Sequence, residues 1–175
     1  ANATGEAHVA WRWAKALSEI VELTVFTFET PGHPNPKTTL PRAEVITSPM
    51  PTIFSNYPRF KSVVKPEYPI YIRKARQALA RVKDRIDIAH QITPMSLRYP
   101  SALVGQNVPY ILGPLGGAIP NPKHFEEELG TDSWFVKLRK LDGLRFRFDP
   151  WLRKSLSEAD LVLGMAPYVE KSLIN

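Results

Sequence analysis

The sequence contains no cysteine among its 175 residues, so disulfide bonds, thiol catalysis and cysteine-ligated zinc are excluded for this chain. No apolar run approaches the roughly 18 residues that a membrane-spanning helix needs. Glycine is scarce beside proline, with 9 glycines against 17 prolines. Nine of those prolines lie between Pro31 and Pro69, which predicts a long connection interrupted by one short strand.

The rest of the composition is that of an ordinary globular protein. Hydrophobic residues make up 43% of the chain and charged residues 23%, which excludes wholesale disorder. The length suits one domain, residues 1–175. The chain begins without methionine, and we interpret it as a fragment of a larger protein.

The formal charge of +6 is concentrated in two stretches. Residues 59–85 hold nine basic residues against Glu67 and Asp84, and residues 139–154 hold six against Asp142 and Asp149. Such stretches attract nucleic acid, anionic lipid or phosphorylated small molecules, or they form solvated helix faces. No zinc-finger, RNA-recognition or basic-zipper spacing accompanies the charge, so no nucleic-acid partner is expected.

Hydrophobic periodicity predicts helices that alternate with short strands. The predicted helices are Gly5–Ile20, Pro69–Val82, Pro94–Val104, Ser133–Leu144, Pro150–Glu158 and Ala166–Ile174. The predicted strands are Val21–Phe28, Ala43–Thr47, Ile86–Ile92, Tyr110–Leu112 and Asp160–Gly164. This order predicts an α/β, Rossmann-like fold with a mostly parallel sheet and helices on both faces. A doubly wound domain normally begins with a strand, so a first strand is expected to be missing before Gly5.

The segment Gly113–Gly117 is the clearest candidate for a ligand contact. Glycines directly after a buried strand let the backbone approach a ligand, and N–H groups there can bind phosphate or sugar oxygens. The same glycines could equally supply only a tight turn. Gly5, at the start of a helix, has the same anion-binding logic, and Glu6 follows it in the first turn.

The four histidines, His8, His33, His90 and His124, do not have the spacing of metal ligands, so no metal site is expected. His90 stands out because it lies near the carboxyl end of a predicted strand, where binding residues of open α/β sheets gather. A structural role for a single histidine remains open beside a binding role.

Taken together, several segments resemble glycosyltransferase family 4 (group 1), in the same order along the chain. They are the helix that begins Gly5-Glu6-Ala7-His8, the strand Asp87-Ile88-Ala89-His90-Gln91, the turn Gly113-Pro114-Leu115-Gly116-Gly117, and the segment from Asp149 to Leu163. The resemblance implies half of a GT-B architecture, the N-terminal, acceptor-side domain. It further implies retaining transfer of a sugar from a nucleotide sugar to a glycan, lipid-linked or small-molecule acceptor, without a metal or cofactor.

The resemblance also assigns roles to residues. Gly5, with Glu6 beside it, would lie near the donor phosphates, and Gly113, Pro114, Gly116 and Gly117 would line the cleft. Many family members carry a cleft histidine after this strand, some as His-x-His; here Ile92 takes the second position. Either His90 has the catalytic cleft role or that role is not preserved. The C-terminal domain, expected as a partner, would hold the nucleotide.

Two other interpretations stay open. The chain could be a stand-alone α/β binding module for a phosphorylated ligand or a protein partner. Aromatic and basic residues also interleave between Trp134 and Trp151, a composition that suits an anionic membrane surface and suits an ordinary amphipathic helix equally. The expected location is cytoplasmic, with peripheral attachment at the inner face of the membrane as an additional expectation.

Overall fold

The computed structural model describes residues 5–29, 32, 34–51, 66–116 and 148–169. The chain divides into two compact units, Ala1–Ile86 and Asp87–Asn175. Within the described residues, the first unit has a two-stranded sheet and the second a three-stranded sheet. Every strand pair in them is parallel. The α/β class with parallel strands and helices is therefore confirmed, although both sheets are small.

The first unit follows the predicted alternation of helix and strand. Its elements are α1 (Glu6–Leu17), β1 (Thr24–Glu29), α2 (Pro36–Thr39), β2 (Glu44–Pro49) and α3 (Tyr68–Val82), and a short 3-10 turn (Lys83–Arg85) ends it. The strands pair in parallel, from Thr24 beside Glu44 to Glu29 beside Pro49. The four-residue helix α2 was not predicted. Asn35 caps its N-terminus, and the Asn35 side chain accepts a hydrogen bond from the Lys37 N–H at 2.9 Å.

Aromatic side chains pack α3 against β1. Phe26 and Phe28 are two residues apart on β1, so their rings project from the same face of the strand. The Tyr71 ring of α3 lies 6.1 Å from the Phe26 ring and 5.9 Å from the Phe28 ring, between centroids. Tyr68 stacks on Tyr71 at 5.5 Å. The helix predicted at Pro69–Val82 is confirmed, and Ala78, Leu79 and Val82 are buried along its packing face.

The second unit contains β3 (Ala89–Gln91), β4 (Tyr110–Leu115), α4 (Pro150–Ser157) and β5 (Leu161–Gly164), with the sheet order β3-β4-β5. β4 and β5 pair irregularly: Leu112 lies beside Val162, but Leu115 lies beside Gly164. β4 therefore uses one more residue than β5 over this stretch, as in a β-bulge. One buried cluster in the unit contains Leu97, Tyr110, Leu112, Leu115 and Val169.

The helix α4 starts with a side-chain cap and buries one face. The Asp149 carboxylate accepts hydrogen bonds from the backbone N–H groups of Trp151 and Leu152, both at 3.0 Å. This satisfies two N–H groups that the first turn of a helix leaves without partners. Leu152 and Ser155, three residues apart, are each only 1% exposed. The predicted helix Pro150–Glu158 is confirmed within one residue.

The predicted helix Pro94–Val104 is wrong, because this segment consists of turns and bends. Side chains from elsewhere bind its backbone N–H groups: Ser155 Oγ accepts from Ser101 N at 2.8 Å, and Gln91 Oε1 accepts from Ala102 N at 2.9 Å. An N–H group bound in this way is not donated to the carbonyl four residues earlier, as an α-helix requires.

Other predictions differ from the structure in their bounds or lie outside the described residues. The helix predicted at Gly5–Ile20 ends at Leu17, and the strand predicted at Val21–Phe28 is observed at Thr24–Glu29. The strand predicted at Ile86–Ile92 is confirmed only over Ala89–Gln91, and the one predicted at Tyr110–Leu112 continues to Leu115. Residues 167–169 are helical, as predicted for the last helix. The remainder of that helix, and the predicted helix Ser133–Leu144, lie outside the described residues.

Candidate functional site at the carboxyl end of β3 and β4

The structure brings together two of the predicted site residues, His90 and Gly113. His90 lies in β3 beside Ile111 of β4, so its ring is next to the part of β4 that contains Gly113. The distance from His90 Nε2 to the Gly113 carbonyl oxygen is 2.7 Å. A carbonyl oxygen can only accept a hydrogen bond, so Nε2 carries the proton and donates it. The contact therefore fixes the protonated nitrogen of a half-buried imidazole.

The surroundings of His90 favour the neutral ring. Burial lowers the pKa of His90 below its usual value, because a charged imidazolium loses hydration inside the protein. The hydrogen bond to the Gly113 carbonyl acts in the opposite direction and is the smaller of the two effects. At neutral pH the ring is thus an uncharged donor at Nε2.

Gly113 is a glycine because β5 approaches it closely. Its φ is +115°, a conformation that residues with side chains rarely adopt. A Cβ atom built at this position would overlap the Leu163 carbonyl oxygen and lie 2.8 Å from the Leu115 backbone nitrogen. Gly113 is also buried. The space that a side chain would need is therefore filled by the neighbouring strand, which supports the structural interpretation of this glycine.

Gly116 contacts the loop that follows β3. Its N–H donates to the Met95 carbonyl at 2.6 Å, and its own carbonyl accepts from the Leu97 N–H at 3.3 Å. A Cβ here would meet the Met165 sulfur at 2.6 Å, and that atom ends a flexible side chain. The Gly116 N–H, a candidate ligand donor in the sequence, thus donates its hydrogen bond within the chain.

The other predicted site residues are placed as follows. Pro114 is half-buried within β4, and Gly117 lies outside the described residues. Gly5 and Glu6 belong to the first unit, where Gly5 precedes α1 with a φ of +67° and Glu6 begins the helix. Both are exposed. Their binding roles remain predictions.

A buried polar network next to His90 was not predicted. Gln91 Oε1 accepts from Ser101 Oγ at 3.1 Å, and Ser155 Oγ donates to the Trp151 carbonyl at 2.8 Å. Tyr110 Oη donates to the Ser155 carbonyl at 2.8 Å. Gln91, Ser101 and Ser155 border a cavity of about 10 Å³, the size of a single water molecule. The only local signal was the glutamine that ends β3.

Metal binding and membrane spanning find no support in the described part of the chain. There, no three His, Asp or Glu side chains come together as a metal site. His33 and His124 lie outside that part. Among the same residues no helix has the length and apolarity to cross a membrane.

No family model, no curated protein and no solved structure matches this chain. The fold and the site accordingly define an α/β protein with small parallel sheets and a histidine–glycine contact between two adjacent strands.

Proposed function

We propose that this chain is the acceptor-side domain of a retaining glycosyltransferase of GT-B architecture. The contact between His90 and Gly113 is the main support, since two segments that resemble family 4 independently meet through it on adjacent parallel strands. The carboxyl ends of parallel strands are where open α/β sheets bind ligands. The segments that carry the resemblance also contain α1, β3, β4, and α4 followed by β5, which is the expected order of helices and strands.

The proposed reaction breaks the bond between the anomeric carbon of the sugar and the diphosphate oxygen. A bond forms from that carbon to an acceptor hydroxyl oxygen, with release of a nucleoside diphosphate and a proton. In this proposal the N-terminal end of α1, at Gly5, faces the diphosphate, because a helix N-terminus stabilises negative charge. Closure of a second, nucleotide-binding domain over this one would exclude water and suppress hydrolysis.

The proposal includes a strand that precedes α1. Among the described residues β1 pairs only with β2, and the proposed strand would pair with the other edge of β1. A parallel strand followed by α1 and then β1 would form a right-handed β-α-β unit, the usual handedness. A polypeptide extended before Ala1 by its natural sequence is therefore expected to unfold at a higher urea concentration than residues 1–175. An unchanged midpoint would contradict this part of the proposal.

The test of the function compares two polypeptides, residues 1–175 and the product of the complete gene. Each is incubated with a panel of nucleotide sugars and acceptors, and NMR measures the product's anomeric configuration. We expect the complete product to transfer the sugar with retention of its anomeric configuration, and residues 1–175 to transfer none. Transfer by residues 1–175 alone, or none by the complete product, would overturn the proposal. Binding of a phosphorylated compound without any transfer would instead support the alternative, a stand-alone binding module.

A second proposed property is attachment to an anionic membrane surface near α4. Phe148 and Trp151 are 70% and 45% exposed, and the side chains of Arg153 and Lys154 are exposed beside them. Aromatic rings partition to the membrane interface, and cations are attracted to anionic headgroups. A location at the inner face of the membrane would follow from this property.

Sedimentation with vesicles tests the membrane proposal. We expect the chain to sediment with phosphatidylglycerol vesicles at low salt, and not with phosphatidylcholine vesicles. The double variant Phe148→Ala, Trp151→Ala should sediment less. The matched control is Ile20→Ala, Val21→Ala, which removes two exposed apolar side chains from the first unit. Equal sedimentation of the two double variants, or none by the unaltered chain, would dispose of the idea.

A further inference from the structure

The Gly113 carbonyl lies where the pairing of β4 becomes irregular. The last residue of β4 that pairs with β3 is Leu112, beside Gln91. On the other side, the pairing with β5 passes from Leu112 directly to Leu115. Gly113 therefore has no regular strand partner on either side, although it is buried. The His90 ring donates a hydrogen bond to the carbonyl of this buried residue and so satisfies a polar group inside the protein.

The other end of this segment is held by the loop after β3. The Gly116 N–H donates to the Met95 carbonyl, and the Gly116 carbonyl accepts from the Leu97 N–H. Both ends of the segment Gly113–Gly116 are thus bound to β3 or to the residues that follow it.

We infer that His90 is a positioning residue, which holds the segment Gly113–Gly116 in place through its Nε2–H bond to the Gly113 carbonyl. A general acid must give its proton to the substrate, and here the Nε2 proton is directed at a backbone carbonyl instead. Only the identity of the ligand that would contact this segment rests on the proposed function. The hydrogen bond itself depends on no ligand.

NMR spectroscopy of the chain labelled with ¹⁵N tests the hydrogen bond. We expect the His90 ring to be the Nε2–H tautomer at neutral pH. Hydrogen exchange of the Gly116 amide should be about tenfold faster in His90→Leu, which removes the donor that His90 supplies to the Gly113 carbonyl. His90→Gln should restore slow exchange, since the glutamine side-chain N–H can occupy the position of Nε2. His8→Leu, which removes a histidine from the first unit, should leave Gly116 exchange unchanged.

Three results would overturn the inference: an Nδ1–H tautomer, unchanged Gly116 exchange in His90→Leu, or equally fast exchange in His90→Gln. If His90→Leu fails to fold, the tautomer of the unaltered chain and the Gly116 exchange in His90→Gln still test the inference. In the complete gene product, sugar transfer should survive in His90→Gln, whereas loss of transfer in that variant would indicate an acid–base role and contradict the inference. Absence of transfer by the unaltered product would overturn the proposed function only, because the NMR results are independent of it.

Discussion

Gly113 and Leu163 lie so close together that no side chain fits between the two strands that carry them. We expect Gly113→Ala to lower the free energy of unfolding by at least about 2 kcal/mol, from the unfavourable φ and the overlap with the Leu163 carbonyl. Urea denaturation of residues 1–175 measures this change.

Gly105→Ala is the matched control for this substitution. Gly105 also has a positive φ, +69°, but a Cβ there would meet nothing within 4 Å. Its replacement should cost only about 1 kcal/mol, the conformational part alone. Equal losses in the two variants would show that the close approach of Leu163 does not matter.

Ser155 connects α4 to the segment that contains Ser101. Ser155→Ala removes the acceptor of the buried Ser101 N–H and should cost about 1–3 kcal/mol in urea denaturation. The control is Ser157→Ala on the same helix, where an exposed hydroxyl donates to the Lys154 carbonyl. That change should stay within about 0.5 kcal/mol. A similar loss in both variants would contradict the assigned network.

Tyr110 should make the chain sensitive to alkaline pH. Burial, followed by the carboxylates of Glu158 and Asp160, raises the pKa of Tyr110 to about 12. In the unfolded chain the pKa is about 10, so the unfolded state loses its proton first as the pH rises. The contribution of Tyr110 to stability is therefore complete below about pH 10 and is lost between about pH 10 and 12.

The variant Tyr110→Phe separates this effect from the hydrogen bond. It removes the bond to the Ser155 carbonyl, which should cost about 1 kcal/mol at neutral pH. Stability should then decline less steeply above about pH 10 than in the unaltered chain. An ultraviolet absorbance titration should also lose one late-titrating tyrosine, while Tyr71, whose pKa burial raises to about 12, should still titrate late. An unchanged alkaline decline would contradict the assignment.

His90 should produce a dependence on acid pH. Its pKa is lowered in the folded state, mainly by burial, so below about pH 6.5 the unfolded chain binds the proton more readily. The stability linked to His90 is thus present above that pH and is lost as the pH falls through the lowered pKa. In urea denaturation at several pH values, His90→Gln should show a shallower decline on acidification. A decline as steep as that of the unaltered chain would show that His90 does not titrate in this way.

Local patterns predicted the elements whose packing face is set within a short stretch of sequence. The helices predicted at Pro69–Val82 and Pro150–Glu158 are examples, and both were confirmed, as α3 and α4. The helix prediction for Pro94–Val104 was wrong because the partners of its N–H groups are distant in sequence: Ser155 is 54 residues from Ser101. Periodicity carries no information about such partners.

The candidate site was predicted in part, for a similar reason. The position of His90 near the end of a strand could be inferred from the alternation of elements. Its bond to Gly113, 23 residues further along, required the register of β3 on β4. The role of Gly113 likewise depends on β5, a strand that joins the sheet about fifty residues later. A glycine in a sequence does not reveal whether a ligand or another strand occupies the space beside it.

The extra residue of β4 changes which side chains reach the interior. Leu112 and Leu115 are an odd number of positions apart, and in an unbroken strand they would point to opposite sides. Both nevertheless belong to the same buried cluster. The irregular pairing between them takes up one extra residue, so both side chains point to the same side. Deletion of Gly113 or Pro114 would therefore leave Leu112 and Leu115 two positions apart, the spacing at which an unbroken strand keeps both side chains on one side. Insertion of one further residue beside the irregular pairing would instead turn Leu115 away from its neighbours.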